Sequence, residues 1–140
     1  MQEILVSVLT PCYNSIKTIE KTLECIEKQT YQNIEYIIVD GGSTDGTLEL
    51  IEKHRSRLPK QFTLISEKDN GIYDAMNKGI KMSSGDVIGI LNSDDFYTDE
   101  DVLQTVADNF RNYSVDAIYG DIHFVREGDL DKCVRYYSSK

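Results

Sequence analysis

Short apolar runs alternate with apolar stripes of helical spacing along most of the chain. Runs rich in β-branched residues predict strands, and they are Ile4–Leu9, Ile34–Val39, Phe62–Ile65, Val87–Leu91 and Ala117–Tyr119, the last extending as far as Phe124. Apolar residues three or four positions apart predict the helices between them, within Ile16–Ile26, Leu48–Ile51, Ile72–Ile80 and Val102–Phe110. This order predicts an α/β fold, with an open, mostly parallel, Rossmann-like sheet flanked by helices on both faces.

Length, composition and charge narrow the class of protein. The 140 residues, of which 40% are hydrophobic and 28% charged, fit a single globular domain over 1–140. A net charge of −9 argues against a nucleic-acid partner but not against a nucleotide. No run approaches the roughly 20 apolar residues of a membrane span, and the start lacks a signal-peptide pattern. Cys12, Cys25 and Cys133 lack metal-type spacing, so we expect free thiols in a cytoplasmic protein.

Polar residues follow each of the first four predicted strands. These loops are Thr10–Asn14, Asp40–Thr47, Glu67–Gly71 and Asn92–Asp95. Ligands of open parallel sheets bind beyond the carboxyl ends of the strands, so the loops should share one binding edge.

Two of these loops carry candidate chemistry. Adjacent carboxylates at Asp94 and Asp95 repel each other and favour a divalent cation, Mn²⁺ or Mg²⁺, held with substrate phosphates. Capping of the following helix is an equally good explanation of this pair alone. In the Asp40–Thr47 loop, Gly41 and Gly42 allow close approach to a ligand, or merely permit a tight turn. The loop is neither a P-loop nor an EF-hand.

Single residues are less specific. Tyr13 is suited to stack on a nucleobase or to lie partly buried under a loop, and Asn77 to face the crevice or the solvent. His54 and His123 are expected to be solvated. No nucleophile motif of the hydrolases is present.

Four motifs together resemble the family-2 glycosyltransferases of GT-A fold, over Ile4 to about Gly120. The motifs are TPCYN (10–14), VDGGSTDGT (39–47), NGIYDAMNKG (70–79) and GDVIGILNSDD (85–95). They are most similar to bacterial members that build O-antigen, capsule and exopolysaccharide.

The resemblance implies a metal-dependent, inverting transfer from a UDP-sugar to a saccharide or lipid-linked acceptor. Asn92-Ser93-Asp94 corresponds to the family's Asp-x-Asp motif, so Asp94 would be the catalytic metal ligand, supported by Asp95, with Ser93 near the ribose. Pro11, Tyr13 and Asp40 would border the nucleobase. The other donor-binding residues implied in this way are Asn14, Gly42, Ser43 and Asn77.

The chain departs from the family at three positions. Asn92 replaces the first acid of Asp-x-Asp, and Met76 stands where Arg is frequent. Gly41 stands where many members have a second Asp that reads the base, which weakens the implication of uracil.

Length is the other difference. Members usually continue for ~100 residues more, so the chain is expected to be a truncated, donor-binding part. A missing carboxyl-terminal part could attach the protein to the inner face of a membrane. Asp121 is the one late acid that position suggests as a catalytic base.

Two rival functions remain open. A nucleotidyltransferase needs a basic Gly-rich loop after the first strand, where Pro11 to Asn14 stand instead. A non-catalytic nucleotide-binding module is compatible with the short length. Receiver and phosphatase-like domains require acids after the first strand, where Thr10 and Pro11 stand.

Overall fold

The computed structural model describes residues 3–140. In chain order, the elements are β1 (Val6–Cys12), α1 (Ile19–Glu27), β2 (Ile34–Asp40), α2 (Thr47–His54), β3 (Gln61–Ser66), α3 (Ile72–Met82), β4 (Val87–Ile90), α4 (Val102–Asn112), β5 (Ile122–Arg126) and β6 (Asp129–Tyr137). A 3₁₀ turn at Arg55–Arg57 follows α2. The first four strands form one parallel sheet in the order β3-β2-β1-β4.

One face of the sheet carries the main core. Alternate residues of β1 and β2, such as Val8 and Tyr36, pack there against α1, α2 and α4. Helix α1 is held by Ile19, Leu23 and Ile26, which lie on one stripe and are all at most 2% exposed. The predicted helical periodicity is therefore confirmed on this face.

The opposite face is covered by α3, which packs over β1 and β2. Gly79 makes this contact possible, because a Cβ there would lie 3.2 Å from the Leu9 side chain. Strand β4 lies at the edge beyond the helix, and its Ile88 and Ile90 are 43% and 45% exposed on this face. The sheet is thus flanked by helices on both faces, as predicted.

Two predictions about strands were wrong. Strand β1 runs to Cys12 instead of Leu9, because Thr10, Pro11 and Cys12 pair in register with the end of β2. The expected fifth strand was wrong in its start and in its partner, since 117–119 is not a strand and β5, which overlaps the predicted range at Ile122–Phe124, does not join the parallel sheet. Instead β5 and β6 form a separate antiparallel ribbon around Gly128, whose φ of +87° suits a tight turn.

The prediction for His54 was also wrong. Its side chain is 6% exposed, and Nδ1 lies within hydrogen-bond distance of Glu27 Oε1. The imidazole therefore joins α2 to α1. His123, by contrast, is exposed, as expected. Nowhere in 3–140 is there a helix long and apolar enough to cross a bilayer.

Candidate functional site

A crevice of about 830 Å³ lies at the carboxyl edge of the parallel sheet. All four loops that follow the parallel strands contribute to its lining. The residues that they supply are 11–18, Asp45, Asp69, Gly71, Ile72 and 92–94. Its size is that of a small-molecule site. A second groove, of about 630 Å³, lies at the opposite edge beside Glu27 and Lys60, and none of the predicted site residues reaches it.

Tyr13 presents its ring at the mouth of the crevice, where it is 63% exposed. The next residue, Asn14, has a φ of +46° and bridges two loops: its N–H donates to Ser43 Oγ (2.8 Å), and its Oδ1 accepts the N–H of Thr44 (2.9 Å). Since Asn tolerates the left-handed region better than most residues, it suits this position. The exposed aromatic ring is thereby carried on a braced backbone.

Asp45 provides a second brace between the same loops. Its Oδ2 accepts the N–H of Ile16 (3.1 Å), and its Oδ1 accepts the N–H of Thr47 (3.0 Å). Thr47 Oγ1 in turn accepts the N–H of Ser15 (2.9 Å). Hydrogen bonds of this kind fix the start of α1 relative to α2, and with it the wall of the crevice.

Asp40 lies beneath the loops rather than in the crevice wall. Its residue is fully buried, and its carboxylate accepts hydrogen bonds from the N–H groups of Gly42 (3.0 Å) and Ser43 (2.9 Å) and from Ser66 Oγ (2.7 Å). Ser43 Oγ and the Cys12 thiol donate to the other oxygen. Burial by itself raises the pKa of Asp40, but these donors outweigh it and hold the pKa below its ordinary value.

The loop after β4 has the opposite character. Asn92 Oδ1 is buried without a hydrogen-bond partner in 3–140, while its Nδ2 lies 3.4 Å from Asp95 Oδ2. Burial, followed by repulsion from Asp94, raises the pKa of Asp95. Ser93 Oγ is 2.8 Å from Ser15 Oγ, which ties this loop to the one after β1. This loop therefore carries two repelling carboxylates and an orphaned carbonyl oxygen, and its Asn92 and Asp94 line the crevice.

Helix capping does not explain these acids. Helix α4 begins at Val102, seven residues beyond Asp95, and its first turn contains no acid. Asp101 occupies the N-cap position without a side-chain capping bond.

The oxygen groups have the chemistry of a hard-cation site. Among residues 3–140 no three His, Cys, Asp or Glu side chains are grouped as metal ligands. Mg²⁺ and Mn²⁺ need fewer, since one or two carboxylates suffice when substrate phosphates and water complete the shell. Asp94, Asp95 and the amide oxygen of Asn92 fit that requirement.

Several predicted site residues lie elsewhere. Gly42 and Ser43 serve the Asp40 network, and Asn77 is exposed on α3 outside the crevice lining. Asp121 lies at the β5–β6 ribbon, where hydrogen bonds from Tyr136 and from the N–H and hydroxyl of Ser139 lower its pKa to about 2. Such a carboxylate is a weak proton acceptor near neutral pH.

Asp45 and Asp69 line the crevice although sequence reasoning did not single them out. Both residues belong to loops that were expected to converge at this edge of the sheet. Their position in these loops was the one feature of the sequence that indicated a place in the site. Which acid in each loop faces the ligand depends on contacts between distant segments.

Fold and crevice together define a GT-A domain that presents its site at the carboxyl edge of a parallel sheet. The glycosyl transferase family 2 profile matches residues 7–135, and the chain belongs to that family. It is 35% identical over 125 residues to glycosyltransferase GlyG of Streptococcus pneumoniae, covering 89% of this chain and 41% of that protein. The chain therefore spans less than half the length of this relative.

Solved structures show the same fold. Staphylococcus aureus TarS 1-349 in complex with UDP-GlcNAc matches with a TM-score of 0.70 and 29% identity, over 76% of this chain and 31% of that one. The mannosyltransferase PcManGT of Pyrobaculum calidifontis, in complex with GDP-Man and Mn²⁺, matches with a TM-score of 0.70 and 26% identity. That alignment covers 91% of this chain and 37% of the mannosyltransferase.

Proposed function

We propose that the chain is the donor-binding part of a metal-dependent, inverting glycosyltransferase that uses a UDP-sugar in bacterial surface-polysaccharide assembly. The observation that carries the proposal is the loop after β4, where Asn92 Oδ1 has no hydrogen-bond partner among residues 3–140 and two repelling carboxylates follow in sequence. A divalent cation would satisfy all three groups. The nucleotide-sugar complexes of the structural relatives support a donor of this class.

The crevice has a base end and a phosphate end. Tyr13 would stack on the nucleobase, a contact worth about 1–3 kcal/mol in other base-binding sites. Asp94 and Asp95, with Asn92, would hold Mn²⁺ or Mg²⁺ against the diphosphate. Bound there, the ion would neutralise the leaving group. Ser93 lines the crevice and is tied to Ser15 of the loop after β1, and it would border the ribose.

Transfer also needs a base to deprotonate the acceptor hydroxyl that attacks the anomeric carbon. The low pKa of Asp121 disfavours that role, and its hydrogen bonds to Tyr136 and Ser139 give it a structural one in the ribbon. We assign the base to no residue of the described chain. A saccharide or lipid-linked acceptor, at the cytoplasmic face of a membrane, remains our proposal for the other substrate.

Calorimetric titration of UDP with and without Mn²⁺ tests the proposal. We expect Mn²⁺ to strengthen UDP binding at least tenfold, and Asp94→Ala to remove that gain because it removes a ligand and unbalances the pair. Asp116→Ala is a matched control, since it removes an equal charge from an exposed loop outside the crevice. Equal UDP affinity with and without Mn²⁺ would contradict the proposal.

A non-catalytic nucleotide-binding module is the second candidate, favoured because the late acid Asp121 is held by Tyr136 and Ser139 and has a lowered pKa, which disfavours it as the base that transfer needs. Donor hydrolysis by a chain extended to the length of GlyG would exclude it. Nucleotidyl transfer is less well supported, because Lys17 is the one basic residue in the described crevice lining.

A further inference from the structure

The side chain of Asp69 occupies the space that a side chain at position 41 would fill. A Cβ added to Gly41 would lie 2.8 Å from Asp69 Oδ2 and 3.2 Å from its Cγ. The two positions are 28 residues apart, in the loops that follow β2 and β3. Any side chain added at 41 would therefore have to displace the Asp69 carboxylate, whereas the backbone of Gly41, whose φ is not in the left-handed region, does not itself demand glycine.

Only one of the two carboxylate oxygens of Asp69 accepts a hydrogen bond from residues 3–140. Asp69 Oδ1 accepts the N–H of Gly71 (2.9 Å), which fixes the direction of the side chain. Oδ2 has no hydrogen-bond donor within the described range 3–140, and Asp69 lines the crevice in company with Tyr13 and Pro11. Asp69 thus contributes one oriented acceptor to the crevice that Tyr13 and Pro11 also line.

Asp40 cannot supply this acceptor. Both of its oxygens are occupied by donors of the protein, and the residue is fully buried. A base at the crevice would reach Asp69 without disturbing that network.

We propose that Asp69 is the specificity-determining residue for the nucleobase, and that it takes the place in space of an acid at position 41. This inference rests on the proposed function, since it concerns the donor nucleotide of the same crevice. A carboxylate oxygen accepts hydrogen bonds and donates none. It therefore selects a base that offers a ring N–H on its pairing edge, as uracil does at N3 and guanine at N1.

Cytosine and adenine present a lone pair at the corresponding ring nitrogen, which faces the carboxylate unfavourably. The free energy lost when a hydrogen bond to a charged group is not formed corresponds to a factor of about 10–100 in affinity. UDP and GDP should therefore bind about 10–100-fold more tightly than CDP and ADP. UDP and GDP share the required N–H, and the size of the crevice beside Tyr13 would decide between them.

The test measures calorimetric affinities for UDP, GDP, CDP and ADP in the presence of Mn²⁺. We expect the natural chain to bind UDP or GDP at least tenfold more tightly than CDP and ADP. Asp69→Ala should abolish this preference. Glu67→Ala removes an equal charge two residues away, outside the crevice lining, and should leave the preference unchanged.

A swap of the two positions sharpens the test. Gly41→Asp alone should weaken UDP binding, because two carboxylates would compete for one space. Gly41→Asp combined with Asp69→Ala should restore the preference for UDP over CDP. Strong coupling between substitutions 28 positions apart indicates direct contact.

The outcomes separate the two proposals. Absence of any Mn²⁺-dependent nucleotide binding would overturn the proposed function itself. Retention of the UDP-to-CDP ratio in Asp69→Ala, with tight UDP binding, would overturn only the role of Asp69. Where the double variant does not fold, Asp69→Asn decides the question, because its amide also donates and should bring the CDP affinity to within about threefold of UDP.

Discussion

Two acidic loops lie at the carboxyl edge of the sheet, one after β2 and one after β4, and their carboxylates have opposite surroundings. Asp40 is enclosed by five donors, which hold its pKa below the ordinary value. The Asp95 residue is exposed, yet partial desolvation of its carboxyl group, followed by repulsion from Asp94, raises its pKa. The Asp40 carboxylate holds the surrounding loops together through its hydrogen bonds. The Asp95 carboxylate carries an unfavourable charge that a ligand could neutralise.

The difference shows why an acid after a strand is not evidence for one role. Both loops follow parallel strands, and both sequences are short and polar. The number of N–H and O–H groups that point at each carboxylate decides its role. For Asp40 the donors come from three segments, the ends of β1 and β3 and the loop after β2.

Removal of the enclosed carboxylate should have the largest effect on stability. Asp40→Ala would leave the N–H groups of Gly42 and Ser43 and the Ser66 hydroxyl without the acceptor that they share, at a partly buried position. We expect the free energy of unfolding to fall by on the order of 3–5 kcal/mol, as measured by chemical denaturation.

Two further variants control this measurement. Asp94→Ala, at the same edge, should change the free energy of unfolding by less than about 0.5 kcal/mol. Asp40→Asn should recover part of the loss, since its carbonyl oxygen still accepts. Equal stabilities of Asp40→Ala and the natural chain would show that the donors around Asp40 are satisfied by other means.

Apolar patterns were enough to predict the parallel sheet. The four strands and four helices were found because continuous apolar runs and apolar stripes of period 3.6 depend on neighbours in sequence. The end of β1 was missed because Pro11 and Cys12 resemble a loop, although pairing with β2 keeps them extended. Strand β6, and with it the antiparallel pairing of β5, was missed because the polar residues within Asp129–Tyr137 lack the buried character of the other strands.

The site was predictable only at the level of loops. Four loops were expected at one edge, and all four line the crevice. The roles of Asp40 and Asp69 depend on contacts across 26 or more residues, which no local pattern reports. The burial of His54 has the same origin, since its partner Glu27 belongs to another helix.

A smaller effect is expected from the backbone of the enclosed loop. Gly42 has a φ of +90°, while the nearest atom to an added Cβ, the Lys68 nitrogen, is 3.8 Å away. Gly42→Ala therefore meets no collision and suffers only conformational strain, which should lower the free energy of unfolding by about 1–2 kcal/mol. Gly120→Ala, in open space without a left-handed φ, is the matched control and should have no such effect. A loss equal to that of the control would show that the loop relaxes freely.

The smallest effect, and the one of opposite sign, concerns the exposed carboxylate. A raised pKa means that folding disfavours the charged form of Asp95, so above that pKa the charge destabilises the fold. Asp95→Asn should therefore stabilise the metal-free chain at neutral pH by a few tenths of a kcal/mol, since solvent screens an exposed pair. As the pH falls through the raised pKa, Asp95 becomes neutral in the natural chain and the advantage of the variant should vanish.

Asp40 behaves in the reverse way. Its contribution to stability is complete above its ordinary pKa and is lost only as the pH falls through the lower folded value. Thermal unfolding of the Asp95→Asn variant and the natural chain between neutral and acidic pH measures the gap. If the stability difference between Asp95→Asn and the natural chain increased as the pH fell, the proposed difference in charge environment between Asp40 and Asp95 would be contradicted.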